Sequence, residues 1–150
     1  MTRYRWLILT LLFLITTKNY LDRIVFSVLI PVIRDELAIS TEQYSYITAA
    51  FQLAYTVGFL FMGKLIDRLG TRAGYAFSIV WWSVAACMHA LAKTAFQMGA
   101  WRALLGLGDS GNFPAAIKAV AEWFPKKDRA FATGIFNAGS NVASMVGPPV

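Results

Sequence analysis

Long apolar stretches alternate with short charged ones along the whole chain. Five apolar spans can be drawn, at about residues 6–33, 44–62, 74–92, 96–120 and 130–150. Each is near or above the ~20 residues that a helix needs to cross a bilayer. Arg34-Asp35-Glu36 through Glu42 follows the first span, and residues 63–72 follow the second. Lys93-Thr94 makes a minimal turn after the third, and residues 122–129 follow the fourth. The pattern predicts an all-α membrane protein. Pro31 sits near the end of the first span, where a helix can stop at low cost. Ser40 or Thr41 is placed to cap the second helix, with Gln43 in its first turn. The fifth span is still apolar at Val150, so the chain is expected to be the N-terminal fragment of a longer protein. No soluble domain, linker, low-complexity segment or internal repeat interrupts the pattern.

Composition agrees with that picture. The chain is 57% hydrophobic and only 15% charged, whereas a soluble domain is about 45–50% apolar and about 25% charged. A net charge of +6 would suggest nucleic-acid binding in a soluble protein. Here the basic residues are sorted by side instead. Arg3, Arg5, Lys64, Arg68, Arg72, Lys126, Lys127 and Arg129 lie at the N-terminus or after the second and fourth spans, and only Arg34 and Lys93 lie opposite. Basic residues are retained on the cytoplasmic side. The asymmetry puts the N-terminus in the cytoplasm and removes nucleic acid as a partner. Trp6 and Trp123 then fall near the inner interface, where indole rings are favoured, unless they serve ordinary packing. Cys87 is the lone cysteine, so no internal disulfide forms. The first apolar run leads to Lys18-Asn19-Tyr20 rather than to a small-residue cleavage site.

Charges inside the spans point to function. Each costs about 2.5–3.5 kcal/mol at a bilayer centre on insertion scales, and such residues usually face a substrate or proton pathway. Lys18 and Asp22, and Asn19 and Arg23, are i,i+4 pairs on adjacent stripes of the first span. A local ion pair that lowers the insertion cost is one reading. The other has Arg23 attracting an anion beside Asp22, a protonatable carboxylate. With the proton off, the pair is satisfied; with the proton on, Arg23 is released to bind substrate. Arg102 and Asp109 lie two turns apart in the fourth span, either as interhelical bonds or, for Asp109, in proton coupling. Gly106, Gly108, Ser110, Gly111 and Pro114 permit close helix approach or a kink there. Thr48, Gln52 and Tyr55 form one polar stripe in the second span, suited to a cavity wall. Asn137 and Asn141, with Ser140 and Ser144 beside them, are placed for ligand contact or interhelical bonding. His89 reads as a structural hydrogen-bonder. No metal spacing, catalytic triad or phosphate-cradling loop is visible, so enzymatic function is the weakest reading and no cofactor is expected.

The segment Gly63-Lys64-Leu65-Ile66-Asp67-Arg68-Leu69-Gly70-Thr71-Arg72 resembles the signature between helices two and three of the major facilitator superfamily, departing at Lys64, a position usually less charged. The resemblance implies a cytoplasmic gating loop carried by Gly63, Asp67, Arg68, Gly70 and Arg72. Arg102 with Gly106 and Gly108 resembles the helix-four signature. Asn19-Tyr20-Leu21-Asp22-Arg23 is similar to the first-helix motif of the anion:cation symporters. Residues 39–46, 122–129 and 136–140 look most like hexuronate transporters, and the resemblance covers essentially all of the chain. It implies helices one to four and part of five of a twelve-helix transporter in a bacterial inner membrane. It also implies a monomer, completed by a C-terminal half of the same chain. Arg23, Tyr20, Tyr55, Gln52 and Asn137 become the expected substrate contacts for a small organic anion. Asp22, Asp109 and Arg102 become the expected coupling residues, with a proton as coupling ion and sodium left open. Asp109 stands where many members have Glu. An organic-phosphate antiporter fits less well, because buried Asp22 and Asp109 would repel a phosphate dianion. A non-transporting sensor of the same fold is the remaining rival.

Overall fold

A computed structural model gives the structure of residues 2–148, which are helical apart from short connections. Among these described residues there are six α-helices: α1 Thr2–Leu37, α2 Thr41–Leu69, α3 Thr71–Met88, α4 Ala95–Asp109, α5 Asn112–Trp123 and α6 Arg129–Val146. A 3₁₀ turn, His89–Leu91, follows α3. Two of the described segments, Thr41–Leu69 and Thr71–Leu91, are long and apolar enough to cross a membrane.

Helix ends differ from the apolar windows for identifiable reasons. α1 does not stop near Pro31 but runs through it to Leu37. It ends instead at Ala38, whose φ of 51° is left-handed. There the Ile39 N–H donates to the Arg34 carbonyl at 3.0 Å, the long bond that closes a Schellman turn. Arg34 also donates through Nη2 to Thr41 Oγ1 at 2.7 Å, tying the turn to the next helix. An alanine in this conformation carries a steric cost of about 1–2 kcal/mol that glycine does not. Ala38→Gly is therefore expected to stabilise the full-length protein by about 1 kcal/mol, measured as a higher thermal midpoint in detergent.

Ser40 caps α2 as expected. Its Oγ accepts from the Gln43 N–H at 3.1 Å, and the Ser40 N–H donates to Gln43 Oε1 at 3.0 Å. This reciprocal pair is a capping box. α2 then continues well past the apolar window. Met62 and Ile66 are buried one turn apart, while Lys64, Asp67 and Arg68 are exposed. The charges thus sit away from the packed stripe and do not end the helix. Gly70 does, with φ 85° and ψ 158°, a region only glycine enters cheaply. The expected loop of residues 63–72 is thereby reduced to one non-helical residue.

The fourth span is two helices rather than one. Pro114 has no N–H to offer the Ser110 carbonyl. Close to it, the Gly111 N–H reaches back only three residues, to Gly108 O at 3.2 Å. Ser110 Oγ donates to Leu107 O at 2.6 Å. Three glycines within six residues weaken the helix here, and the proline completes the break.

The chain forms two compact units. One comprises residues 1–29 and 116–150, the other residues 30–115. In the second unit α4 packs most extensively against α2, and also against α3. Small residues set the approach. A Cβ on Gly106 would meet Phe51 O at 2.7 Å and Tyr55 N at 3.2 Å. One on Gly74, in α3, would meet Ile66 Cα at 2.9 Å. In the first unit α6 presents Gly139 and Ala143, and Gly147 follows at its C-cap, all buried at four-residue spacing. A Cβ on Gly139 would lie 2.8 Å from Phe13 O in α1, and one on Gly147 2.5 Å from Ile24 Cγ2. This is the small-xxx-small stripe that lets membrane helices touch backbone to backbone.

Candidate functional site

The candidate residues form two groups, one within each unit. In the first unit they lie along the middle of α1. Lys18 Nζ and Asp22 Oδ2 are 2.6 Å apart, across one helical turn. The Asp22 side chain is 24% exposed and that of Lys18 54%, so the carboxylate is the more enclosed partner. The Arg23 guanidinium lies 5.0 Å from the centroid of the Tyr20 ring. Of the two readings of this segment, the i,i+4 ion pair is present: Lys18 holds Asp22, and Arg23 lies over an aromatic face. The adjacent pairing in sequence points Asp22 and Arg23 to different sides of the helix, which favours the partner one turn away. Asn19 and Thr16 are fully enclosed on the same helix. Thr16 Oγ1 is buried without a hydrogen-bond partner, a costly state for a hydroxyl. On α6, Asn137 is half-buried, and its carbonyl accepts from Ser140 Oγ at 2.7 Å. Asn141 is exposed.

The second unit holds Arg102, Asp109, Tyr55 and Gln52. Arg102 is 7% exposed, and its guanidinium sits 4.6 Å from the centroid of Phe51. A desolvated contact of this kind is worth about 2 kcal/mol. Phe51 in turn stacks on Tyr55 at 6.2 Å between centroids. Arg102 and Tyr55 are therefore linked through a ring the sequence did not single out. The available signal was position: Phe51 stands four residues before Tyr55, on the same stripe. Asp109 is completely buried and is the last residue of α4, directly before the break. Next to the break, Tyr75 donates its hydroxyl to Asn112 Oδ1 at 2.6 Å, a buried bond from α3 to α5. Neither residue stood out in the sequence, although Asn112 follows the glycines that mark the break. Thr48 and Gln52 are exposed. The Thr48 hydroxyl donates to the Tyr44 carbonyl at 3.1 Å, so it is turned onto its own helix.

The segment expected to gate is laid out around Gly70. Gly63 lies inside α2, Asp67 and Arg68 occupy its last turn, and Arg72 is in the first turn of α3. His89 hydrogen-bonds the Ala85 carbonyl at 2.8 Å, in line with a structural role. Among the described residues no cluster of His, Cys, Asp and Glu is suited to a metal ion.

Charged side chains midway along apolar helices, with glycines seating those helices closely against their neighbours, define a helical membrane protein. Residues 12–150 match the Major Facilitator Superfamily, and the chain belongs to that family. It is 41% identical over 146 residues to a hexuronate transporter of Escherichia coli strain K12, covering 97% of this chain and 34% of that protein. It is 37% identical to a galacturonate transporter of Dickeya chrysanthemi, covering 97% of this chain and 42% of that protein. The chain thus spans between a third and a half of the length of these curated relatives. Among solved structures it is similar to a bacterial homolog of the human lysosomal transporter Spinster in an inward-facing, unoccupied conformation. The TM-score is 0.89 at 26% identity, over 98% of this chain and 31% of that one.

Proposed function

We propose that this chain supplies part of a secondary transporter that imports a hexuronate or a related sugar acid by proton symport. Transport would proceed by alternating access about a midplane site, in a bacterial inner membrane with the N-terminus in the cytoplasm. The observation that carries the reading is the Lys18–Asp22 ion pair of 2.6 Å in the middle of α1, with Arg23 next in sequence. At this level of α1, beside the buried Thr16 and Asn19, the Asp22 carboxylate is paired with Lys18, and Arg23 follows in sequence. With Asp22 ionised, Lys18 is held. With Asp22 protonated, Lys18 loses its counter-charge, and a sugar carboxylate is the natural replacement. Binding of proton and anion are then mutually favourable, as symport requires. Arg23, Tyr20, Asn137, Gln52 and Tyr55 are proposed substrate contacts, and Arg102 and Asp109 join Asp22 in coupling. The names of the curated relatives support a sugar acid as the cargo.

The test is uptake of labelled glucuronate or galacturonate by the full-length protein in liposomes, with and without an inward proton gradient. Gradient-driven accumulation is expected, and Asp22→Asn is expected to reduce it about 5- to 150-fold, the usual span of a site–site coupling energy. Uptake that ignores the gradient, or survives in the variant, defeats the coupling scheme. Absence of uptake of glucuronate and of galacturonate alike defeats the choice of a hexuronate as substrate.

A further inference from the structure

A second charged feature lies at one end of the first unit, remote in sequence from the Lys18–Asp22 pair. Pro125 O accepts from the Asp128 N–H at 2.9 Å, closing a turn whose two central residues are Lys126 and Lys127. Both lysines are exposed. The turn is anchored on each side. Before it, Phe124 is 3% exposed and meets Trp6 edge-on at 6.1 Å between centroids. After it, Arg129 donates through Nε to Phe124 O at 3.1 Å and through Nη2 to Ala121 O at 2.7 Å, capping the carboxyl end of α5. Arg5, from the first turns of α1, lies over both Trp6 and Phe124, at 5.6 and 5.9 Å. It also approaches Asp128 at 3.9 Å. The acidic residue of the turn thus has a cation near it on the inner side, and both lysines face outward.

Around this turn the surface is both basic and aromatic. Five basic residues (Arg3, Arg5, Lys126, Lys127 and Arg129) stand against two acidic ones, Glu122 and Asp128. Trp6 and Trp123 are about half exposed, at 46% and 45%, and Tyr4 at 65%. Exposed lysines on an anchored turn beside half-exposed indoles suit the headgroup level of a bilayer, where aromatic rings settle and anionic lipid attracts basic side chains. We infer that the Lys126–Lys127 turn, braced by Arg5, Phe124 and Arg129, is a docking surface for the headgroup of an anionic phospholipid. Charge complementarity selects the occupant, and the flanking indoles select a lipid over a soluble anion.

The experiment is native mass spectrometry of the full-length protein, taken from vesicles of phosphatidylcholine containing a minority of phosphatidylglycerol. The protein is expected to carry phosphatidylglycerol in excess of its share of the vesicle, and the excess is expected to fall with added salt. One basic residue near an anionic surface contributes about fivefold in affinity. The double variant Lys126→Gln, Lys127→Gln should therefore lower the preference at least about tenfold while carrying phosphatidylcholine as before. Lys93→Gln, on a different turn, should leave it unchanged. Lipid carried in proportion to vesicle composition would overturn the inference, as would a preference that survives the double variant. Displacement of phosphatidylglycerol by inorganic phosphate would also overturn it, since the surface would then be a phosphate site and not a lipid site.

Discussion

Gly106→Leu should collapse the folded yield of the full-length protein, and Gly106→Ala should lower its thermal midpoint clearly. The first atoms a Cβ would meet at this position are backbone atoms of α2, Phe51 O at 2.7 Å and Tyr55 N at 3.2 Å. A side chain in the way can rotate; a helix backbone cannot. α2 and α4 form the most extensive helix–helix contact of the second unit, so separating them loosens packing along much of their length. Overpacking a well-filled interior costs about 1–3 kcal/mol for modest additions. Alanine should fall in that range and leucine beyond it. The control is Gly134→Ala, whose Cβ would have nothing within 4 Å. That change should be neutral or stabilising by about 0.5–1 kcal/mol, since alanine is the better helix former. Thermal unfolding in detergent and the monodisperse fraction by size exclusion check both. Equal behaviour of Gly106→Ala and Gly134→Ala would show that the close approach is not maintained in the protein.

The second large effect is expected from Asp109→Asn. Asparagine keeps the shape of the side chain and removes its titration. If Asp109 acts in coupling, the variant should lose gradient-driven accumulation by about 5- to 150-fold while still exchanging sugar acid across the membrane at equal concentrations. If its role were structural, the signature would be different. Breaking a buried charge pair costs about 3–5 kcal/mol, so the thermal midpoint would drop and exchange would fail along with accumulation. The position of Asp109, fully buried at the last residue of α4, makes the distinction sharp, because no solvent exposure softens either outcome.

Much of this molecule is legible in its sequence, and the exceptions share a cause. The order of the helices, the Ser40 cap and the Lys18–Asp22 pair are local features, set within four residues, and periodicity suffices to find them. Membership of the superfamily was carried by motif spacing around Gly70 and Arg102. Helix length was harder. Hydropathy averages over all faces, so it ended α2 near Met62, although Ile66 continues the packed stripe while Lys64, Asp67 and Arg68 point elsewhere. The same averaging ran the fourth span through Ser110 and Gly111, where hydrogen bonding rather than polarity fails. Phe51 under Arg102 and Tyr75 against Asn112 are tertiary contacts. A phenylalanine among apolar residues announces nothing until the neighbouring helix places a guanidinium on it.

Gly70 has a consequence for biogenesis. A single residue advances the chain by only about 3.8 Å, and Gly74 brings the first turn of α3 against Ile66 in the last turn of α2. The connection has no slack to pay out. α2 and α3 are therefore expected to insert as a hairpin, and pulling on one from the lipid under force is expected to draw out the other in the same step.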